Sequence, residues 1–389
     1  MKQRRVKITG IGPVTAAGIG REAFLRGIVE PVSRVKTLVP LGEGNGALVA
    51  AADVGDFRVG AFALDAVHLQ SPRHVQFALA GTVLSLRDAG ILLADLRKKK
   101  SLVSVAYPMA ERSTYNEPIA SDSGAGVRLH QTQAAVELLV GARTGVAAEV
   151  RRLSSLDAIG HAAEQVASGV ADIAICGGAD APLTESILAE LNRHGLSPNH
   201  AKEPDRLCRP FDLWRTTGVA GEGACMFVLE PETSPRRAYA WVAGSARATE
   251  QSGRPWSGLG EALRLALGNA RLRPAEIDCI QAEGLGHASL DQAEAAALGT
   301  ALGARLASIP VVSIKGAVGN ALGAAGAIQV GCAALGMKHA LIAPTTNWHH
   351  YDPSCPLNLS ASSRSLAMQA MLVVDRDPAG RITCLLLKQ

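Results

Sequence analysis

The sequence predicts an α/β protein made of two similar halves, and three observations carry that reading. Short apolar strand patterns alternate with helical ones, the same element order is run through twice, and the interior has to be built from small aliphatic residues. The last point follows from composition. Hydrophobic residues are 48% of the 389 but aromatics only 4%, with 40 glycines, so Ala, Val, Leu and Gly must fill the core and let backbones come close. Such a chain is long enough to bury one large core or two fused halves. The 19% of charged residues, among abundant aliphatics, fits a globular protein rather than a disordered one.

Several function classes drop out early. No apolar run reaches the roughly 18 residues of a membrane span. The start, MKQRRVKITGIG, passes from a basic tip into a strand pattern with no signal-peptide core. The seven cysteines show no CxxC spacing and sit mostly in apolar stretches, which reads as buried thiols in a reducing compartment. A cytoplasmic location is the expectation. A net charge of +4 is too small to argue for nucleic acid.

In the first half the pattern predicts a buried strand over Val6–Ile11, a helix near Arg21–Ile28 and an amphipathic helix over Gln76–Ala89 that stops at Gly90. Leu102–Ala106 reads as a strand, Gln131–Val140 as a helix and Val146–Val150 as a short strand. A helix over Ser155–Ser168 then feeds the strand Ile173–Cys176, and Ala224–Leu229 closes the half. The second half starts with the strand Ala240–Gly244, the helix Gly258–Ala270, the strand Asp278–Gln281 and the helix Leu290–Leu302. It continues with the strand Val311–Ile314, a helix over Asn320–Met337 and paired strands Ala370–Val374 and Arg381–Leu387. Short apolar strands between helices predict largely parallel sheets covered on both faces. The join falls in the Pro-rich, charged stretch Glu232–Arg237, giving halves of 1–235 and 236–389.

The most specific feature is the run Ile314-Lys-Gly-Ala-Val-Gly-Asn-Ala-Leu-Gly-Ala-Ala-Gly-Ala-Ile328. Each glycine inside a helix costs about 1 kcal/mol against alanine, so this density marks a place where backbone or ligand comes close. The run resembles the ketosynthase motif in which a lysine, then Gly-His, then Leu-Gly-Ala-Ala-Gly enter a long helix. Arg209-Pro-Phe-Asp212 with Gly221-Glu-Gly-Ala224 and Val228-Leu-Glu230 resembles a second signature of that family. So do Ile8-Thr-Gly-Ile-Gly12, Ala171-Asp172 with Gly177-Gly-Ala-Asp180, and Pro344-Thr-Thr-Asn347. The resemblance, to the condensing enzymes of fatty-acid and polyketide synthesis, spans nearly the whole chain and is weakest over 97–150. It implies a thiolase fold, a five-layered αβαβα arrangement of two similar halves, working as a dimer and with no cofactor. A dinucleotide-binding reading of Gly10-Ile-Gly12 is weaker, because no third glycine and no helix follow.

The family's chemistry needs a thiolate at a helix N-terminus. Reading back without gaps from Ile159-Gly-His-Ala162, its cysteine position falls on Arg152, or on Leu153 if the loop slips by one, and no cysteine occurs before Cys176. The first family histidine stands in an Asn-Ala-His-Gly turn, which here is Gln281-Ala-Glu-Gly284, putting Glu283 in its place. The second is Asn320. Those imidazoles donate to the oxygen that becomes negative as malonate loses carbon dioxide, which an ionised glutamate cannot do. The family's Gly-Phe-Gly-Gly oxyanion loop is matched to Ser363–Met371, which holds no glycine. Catalytic residues are therefore not expected.

Lys315, Glu294 and Asp291 stand at the family's spacing for a supporting lysine and carboxylates, and the resemblance implies an ion-pair network that braces the fold. Arg152 and Glu283, opposite charges at positions the fold brings together, are expected to pair across the vacated pocket. Ser154 and Ser155 read as helix-capping residues, His287 as a solvated loop residue and His161 as a core or interface residue. His349-His350 lack the neighbours of a metal site, so no metal is expected. Lys98-Lys-Lys100 is a solvated loop or a contact for an acidic carrier protein. This pattern of loss resembles the chain-length factors, the KS-beta subunits of type II polyketide synthases. The resemblance implies a non-catalytic subunit that pairs with an active ketosynthase, shapes the acyl tunnel and meets an acyl carrier protein. The alternatives are a re-purposed acyltransferase, hydrolase or cyclase using Glu283, His287 or a serine, and a homodimeric acyl-binding scaffold.

Overall fold

The computed structural model describes residues 4–38, 48–62, 64, 66–106, 108–114, 131–142, 154–198 and 202–389. In the first half the main elements are β1 (Val6–Thr15), α1 (Arg21–Val29), α2 (Arg73–Ala89), β2 (Ser101–Val105), α3 (Gln131–Val140), α4 (Ser155–Ser168), β3 (Ile173–Asp180) and β4 (Gly223–Pro231). The second half has β5 (Ala240–Thr249), α5 (Leu259–Ala270), β6 (Cys279–Gln281), α6 (Ala288–Leu302), β7 (Val311–Val312), the one-turn α7 (Lys315–Val318), α8 (Ala325–His339), β8 (Ala370–Arg376) and β9 (Arg381–Lys388). The expected strand at Val146–Val150 lies outside the described residues.

The strands lie in the order β7-β6-β8-β9-β5-β1-β4-β3-β2. Each half repeats one pairing rule. β2 runs parallel to β3, which is antiparallel to β4, itself antiparallel to β1. β6 likewise runs parallel to β8, which is antiparallel to β9, itself antiparallel to β5. The halves touch edge to edge where Val6–Ile8 pair with Ala240–Val242. The sheets are therefore mixed rather than largely parallel. Burial on both faces, not strand direction, writes a continuous apolar run, and all ten residues of β1 are buried.

Five layers follow from which side chains share a core. Met371 and Val373 of β8 join α4 and α8 in the central core, while Leu372 and Val374 face α5 and α6. In the first half Ala174 and Cys176 of β3 face the central helices, and Ile173 and Ile175 face α2 and α3. Helix α8 is buried from Ala325 to Met337, so it shows no polar stripe. The outer α2 lies so close to β1 that a Cβ on Gly12 would collide with the carbonyl oxygen of Gly81. Among the described residues no helix is long and apolar enough to cross a membrane.

The helix expected over Asn320–Met337 begins later. Asn320 gives its N–H to the carbonyl of Val219 at 2.7 Å and takes the N–H of Gly221 at 2.8 Å. A residue bonded sideways in this way cannot enter a helix. The chain turns through Gly319 (φ 68°) and a 3₁₀ turn at Leu322–Ala324 before α8 starts.

Candidate functional site

The site is assembled where the turn after β6 meets the first turns of α6, the lysine of α7, the start of α4 and the end of β8. Asp291 and Glu294 stand one turn apart on α6 and both point at the β6 turn. Glu294 accepts the N–H groups of Glu283 (2.8 Å) and Gly284 (2.9 Å). Asp291 accepts those of Leu285 (2.9 Å), Gly286 (3.0 Å) and Phe211 (2.8 Å). The two carboxyls thus satisfy the donors of a turn that forms no ladder. Burial pushes Glu294 up to about 8 and Asp291 up to about 6, against the pull of these backbone donors. Ser313 completes the clamp by donating to the carbonyls of Glu283 and Gly284.

Lys315 is buried, and its ammonium donates to Oδ1 of Asn320 at 2.9 Å. No ion pair joins Lys315 to Glu294 among the described residues, which corrects the direct pair implied by the resemblance. Glu294 turns its two oxygens to the backbone N–H groups of Glu283 and Gly284, while the Lys315 ammonium goes to Asn320. Lys315 acts instead as a shared positive charge that holds Glu283, Asp375 and Glu294 lower than burial alone would leave them. Asn320 Oδ1 also takes the N–H of Leu322, which turns the amide –NH₂ away from both partners.

The Glu283 side chain is buried, and among the described residues its Oε2 has no hydrogen-bond partner. Burial pushes this carboxyl well above the usual carboxylate range; Asp375 and Glu294 push it further, against Lys315 and Arg376. Burial and the neighbouring acids thus favour the protonated form of Glu283. Asp375, at the end of β8, is also raised by burial and accepts the hydroxyl of Ser154 at 2.7 Å. Sequence reasoning missed Asp375 and Arg376, although an apolar strand ending in Asp-Arg-Asp was the available signal. The expected Arg152 partner for Glu283 lies outside the described residues.

Residues 3–234 match the family described as Beta-ketoacyl synthase, N-terminal domain, and residues 239–349 match Beta-ketoacyl synthase, C-terminal domain. The chain belongs to the β-ketoacyl synthase family. It is 32% identical over 411 residues to a Streptomyces halstedii protein named "Putative polyketide beta-ketoacyl synthase 2", covering 99% of this chain and 97% of that one. It is 30% identical to the tetracenomycin polyketide synthase ketoacyl synthase alpha subunit of Streptomyces glaucescens, over 92% and 90% of the two chains. Among solved structures, the ishigamide ketosynthase/chain length factor superposes with a TM-score of 0.86 at 26% identity, covering 100% of this chain and 99% of that one. The thiolase-type five-layered architecture is thus shared with known ketosynthases.

In this β-ketoacyl synthase-family chain the two central helices are capped reciprocally across the halves. At the start of α4, Ser154 accepts the N–H of Leu156 while donating to Asp375 of β8. Just before α8, Gly323 donates its N–H to Asp180 of β3 at 3.1 Å. Asp180 also takes the N–H groups of Met109, Ala110 and Ala181, and burial pushes it up to about 6. Ser155 accepts the N–H of Ala327 at 2.8 Å. Both serines are thus engaged at helix starts.

The segment 363–371 does not reach the site. Arg364–Ser365 pairs with Leu341–Ile342 at the opposite end of β8 from Asp375. The turn that does reach it is Asp377-Pro-Ala-Gly380, so the oxyanion-loop comparison moves there, where one glycine, Gly380 (φ 78°), remains. Asp377 holds this turn by accepting the N–H groups of Ala379 and Arg381, and Arg376 is fixed bidentately by Glu250 at 2.7 and 2.5 Å.

The other candidates take structural places. His287 is half-buried and caps α6, its Nδ1 accepting the N–H of Leu290 at 3.3 Å, rather than lying free in a loop. The backbone N–H groups of His349 and His350 are held by Asp212 at 2.7 Å, and no metal-binding cluster occurs among the described residues. All seven cysteines are buried free thiols. Burial pushes Cys208, Cys279 and Cys332 up to about 12 and Cys355 to about 11, and raises Cys176, Cys225 and Cys384 as well, so none is a ready thiolate.

Proposed function

We propose that this chain is a non-catalytic, chain-length-factor-like subunit. On this reading it pairs with an active ketosynthase in a type II polyketide or related synthase, helps shape the acyl tunnel, and meets the acyl carrier protein as part of that pair. The observation that carries the proposal is Glu283, a buried carboxyl raised by burial and by the nearby Asp375, at the position where the family places a donor histidine. An ionised carboxylate there would repel malonate and its enolate, and a neutral one shares its surroundings with a second acid. Among the described residues of the site, Lys315 donates to the side chain of Asn320, which stands at the second histidine position. The likeness to a ketosynthase/chain length factor supports the subunit reading. Arg152 as counter-charge to Glu283 belongs to the same proposal. Co-expression with a type II ketosynthase of the same organism tests it. A stable 1:1 complex is expected, and a lone homodimer in the presence of that partner contradicts it.

One feature favours a second reading. A buried carboxyl whose protonated form is favoured is also what a general acid needs. Turnover of acyl-carrier thioesters by the pure protein, abolished in Glu283→Ala, would select the re-purposed enzyme over the subunit.

A further inference from the structure

A second cleft, of about 370 Å³, opens on the first half between β1, the start of α1 and the end of α2, far in sequence from the Glu283 turn. Ile19 and Leu84 give it an apolar side, and Arg21, Arg26 and Arg87 line it together with Glu22 and Asp88. Arg21 is built in. Its Nη1 donates to Asp88 at 2.8 Å and to the Tyr239 hydroxyl at 2.6 Å, and Asp88 is itself tied to the N–H of Ile11 at 2.9 Å. Glu22 takes the other end of Arg21 at 3.1 Å. The two acids of the cleft are thereby committed to Arg21.

Arg26 and Arg87 are left over. Both are exposed, and neither has an ion-pair partner among the described residues. Arg87 makes one long contact, 3.5 Å to the carbonyl of Phe62. Two guanidiniums without an ion-pair partner among the described residues, beside Ile19 and Leu84 in one small cleft, match a ligand with a compact double negative charge and a short apolar body. Guanidinium forks bind phosphate oxygens in pairs, and the cleft's size lies in the range of small-molecule sites.

We propose that this cleft is a binding site for a small phosphate monoester with an aliphatic group, its phosphate held by Arg26 and Arg87 and its chain laid on Ile19 and Leu84. The proposal does not depend on the reading of the Glu283 site. Calorimetric titration of the full chain with hexyl phosphate at low ionic strength should give saturable 1:1 binding, weakened by raising salt. Arg26→Gln/Arg87→Gln, two exposed changes checked for fold by circular dichroism, should weaken it at least tenfold. Leu84→Asn should weaken hexyl phosphate while leaving inorganic phosphate unchanged. Absence of saturable binding, or equal binding by the double variant, would overturn the site. Inorganic phosphate binding as tightly as hexyl phosphate would contradict the ester.

Discussion

Replacing Lys315 with methionine isolates the electrostatics of the site, because methionine keeps most of the volume and removes only the charge and its donors. Lys315 is buried and is the shared cation for Glu283, Asp375 and Glu294. Removing one member of a buried charge cluster costs about 3–5 kcal/mol when the remaining charges stay ionised. The lost hydrogen bond to Asn320 adds about 1 kcal/mol. The acids can escape most of the first cost by binding protons, so the loss must depend on pH. At pH 5 Glu294 is already neutral in the folded state, and about 1 kcal/mol should be lost with the hydrogen bond to Asn320. At pH 9, a unit above the value of about 8 to which Glu294 is pushed, its carboxyl is mostly ionised and the loss should grow by about 1.4 kcal/mol. Urea unfolding followed by tryptophan fluorescence at both pH values reads the difference. A loss that is equal at pH 5 and pH 9 would refute the shared-cation argument.

Further outcomes follow from the same geometry. A carboxyl whose folded pKa is raised above its unfolded value binds a proton only in the folded state between those two values. Stability should therefore fall from about pH 5 to 8, by up to about 1.4 kcal/mol per pH unit for each such group; a flat or rising profile in urea melts would contradict it. Glu283→Gln should stay within about 1 kcal/mol of the parent at pH 7 and flatten that profile, whereas a loss above about 3 kcal/mol would mean Glu283 is ionised there. Asp180→Ala strips four backbone N–H groups of their acceptor and should cost about 3–5 kcal/mol in the same assay. Arg152→Cys should yield no condensation of malonyl and acyl carrier thioesters by radiolabel, since Glu283 and Asn320 still occupy the histidine positions.

The architecture was legible because both halves write the same alternation, and because glycine and alanine mark where backbones touch, as between Gly12 and Gly81. Strand direction was not legible: β1, β4 and β8 are buried on both faces, and such strands look alike whichever way they run. The substituted positions Glu283 and Asn320 could be read from their motifs, but their partners could not. Glu294 turned out to serve backbone donors rather than Lys315, a choice made by turn geometry that no spacing records. Asp375 enters the site from a strand almost a hundred residues away in sequence, so only the fold brings it to Glu283 and Ser154. The oxyanion-loop match went astray for a related reason. With no Gly-Phe-Gly-Gly left to anchor it, the register before and after β8 could be fixed only by seeing which end of the strand meets the site.

The central claim is that this ketosynthase-family chain carries no condensation chemistry of its own. Release of labelled carbon dioxide from malonyl carrier thioester tests it most directly, measured for the pure chain, for a co-expressed type II ketosynthase and for the two together. The account predicts no release above background from the chain alone and full release from the pair. Steady release by the chain alone, lost in Lys315→Met, would contradict it.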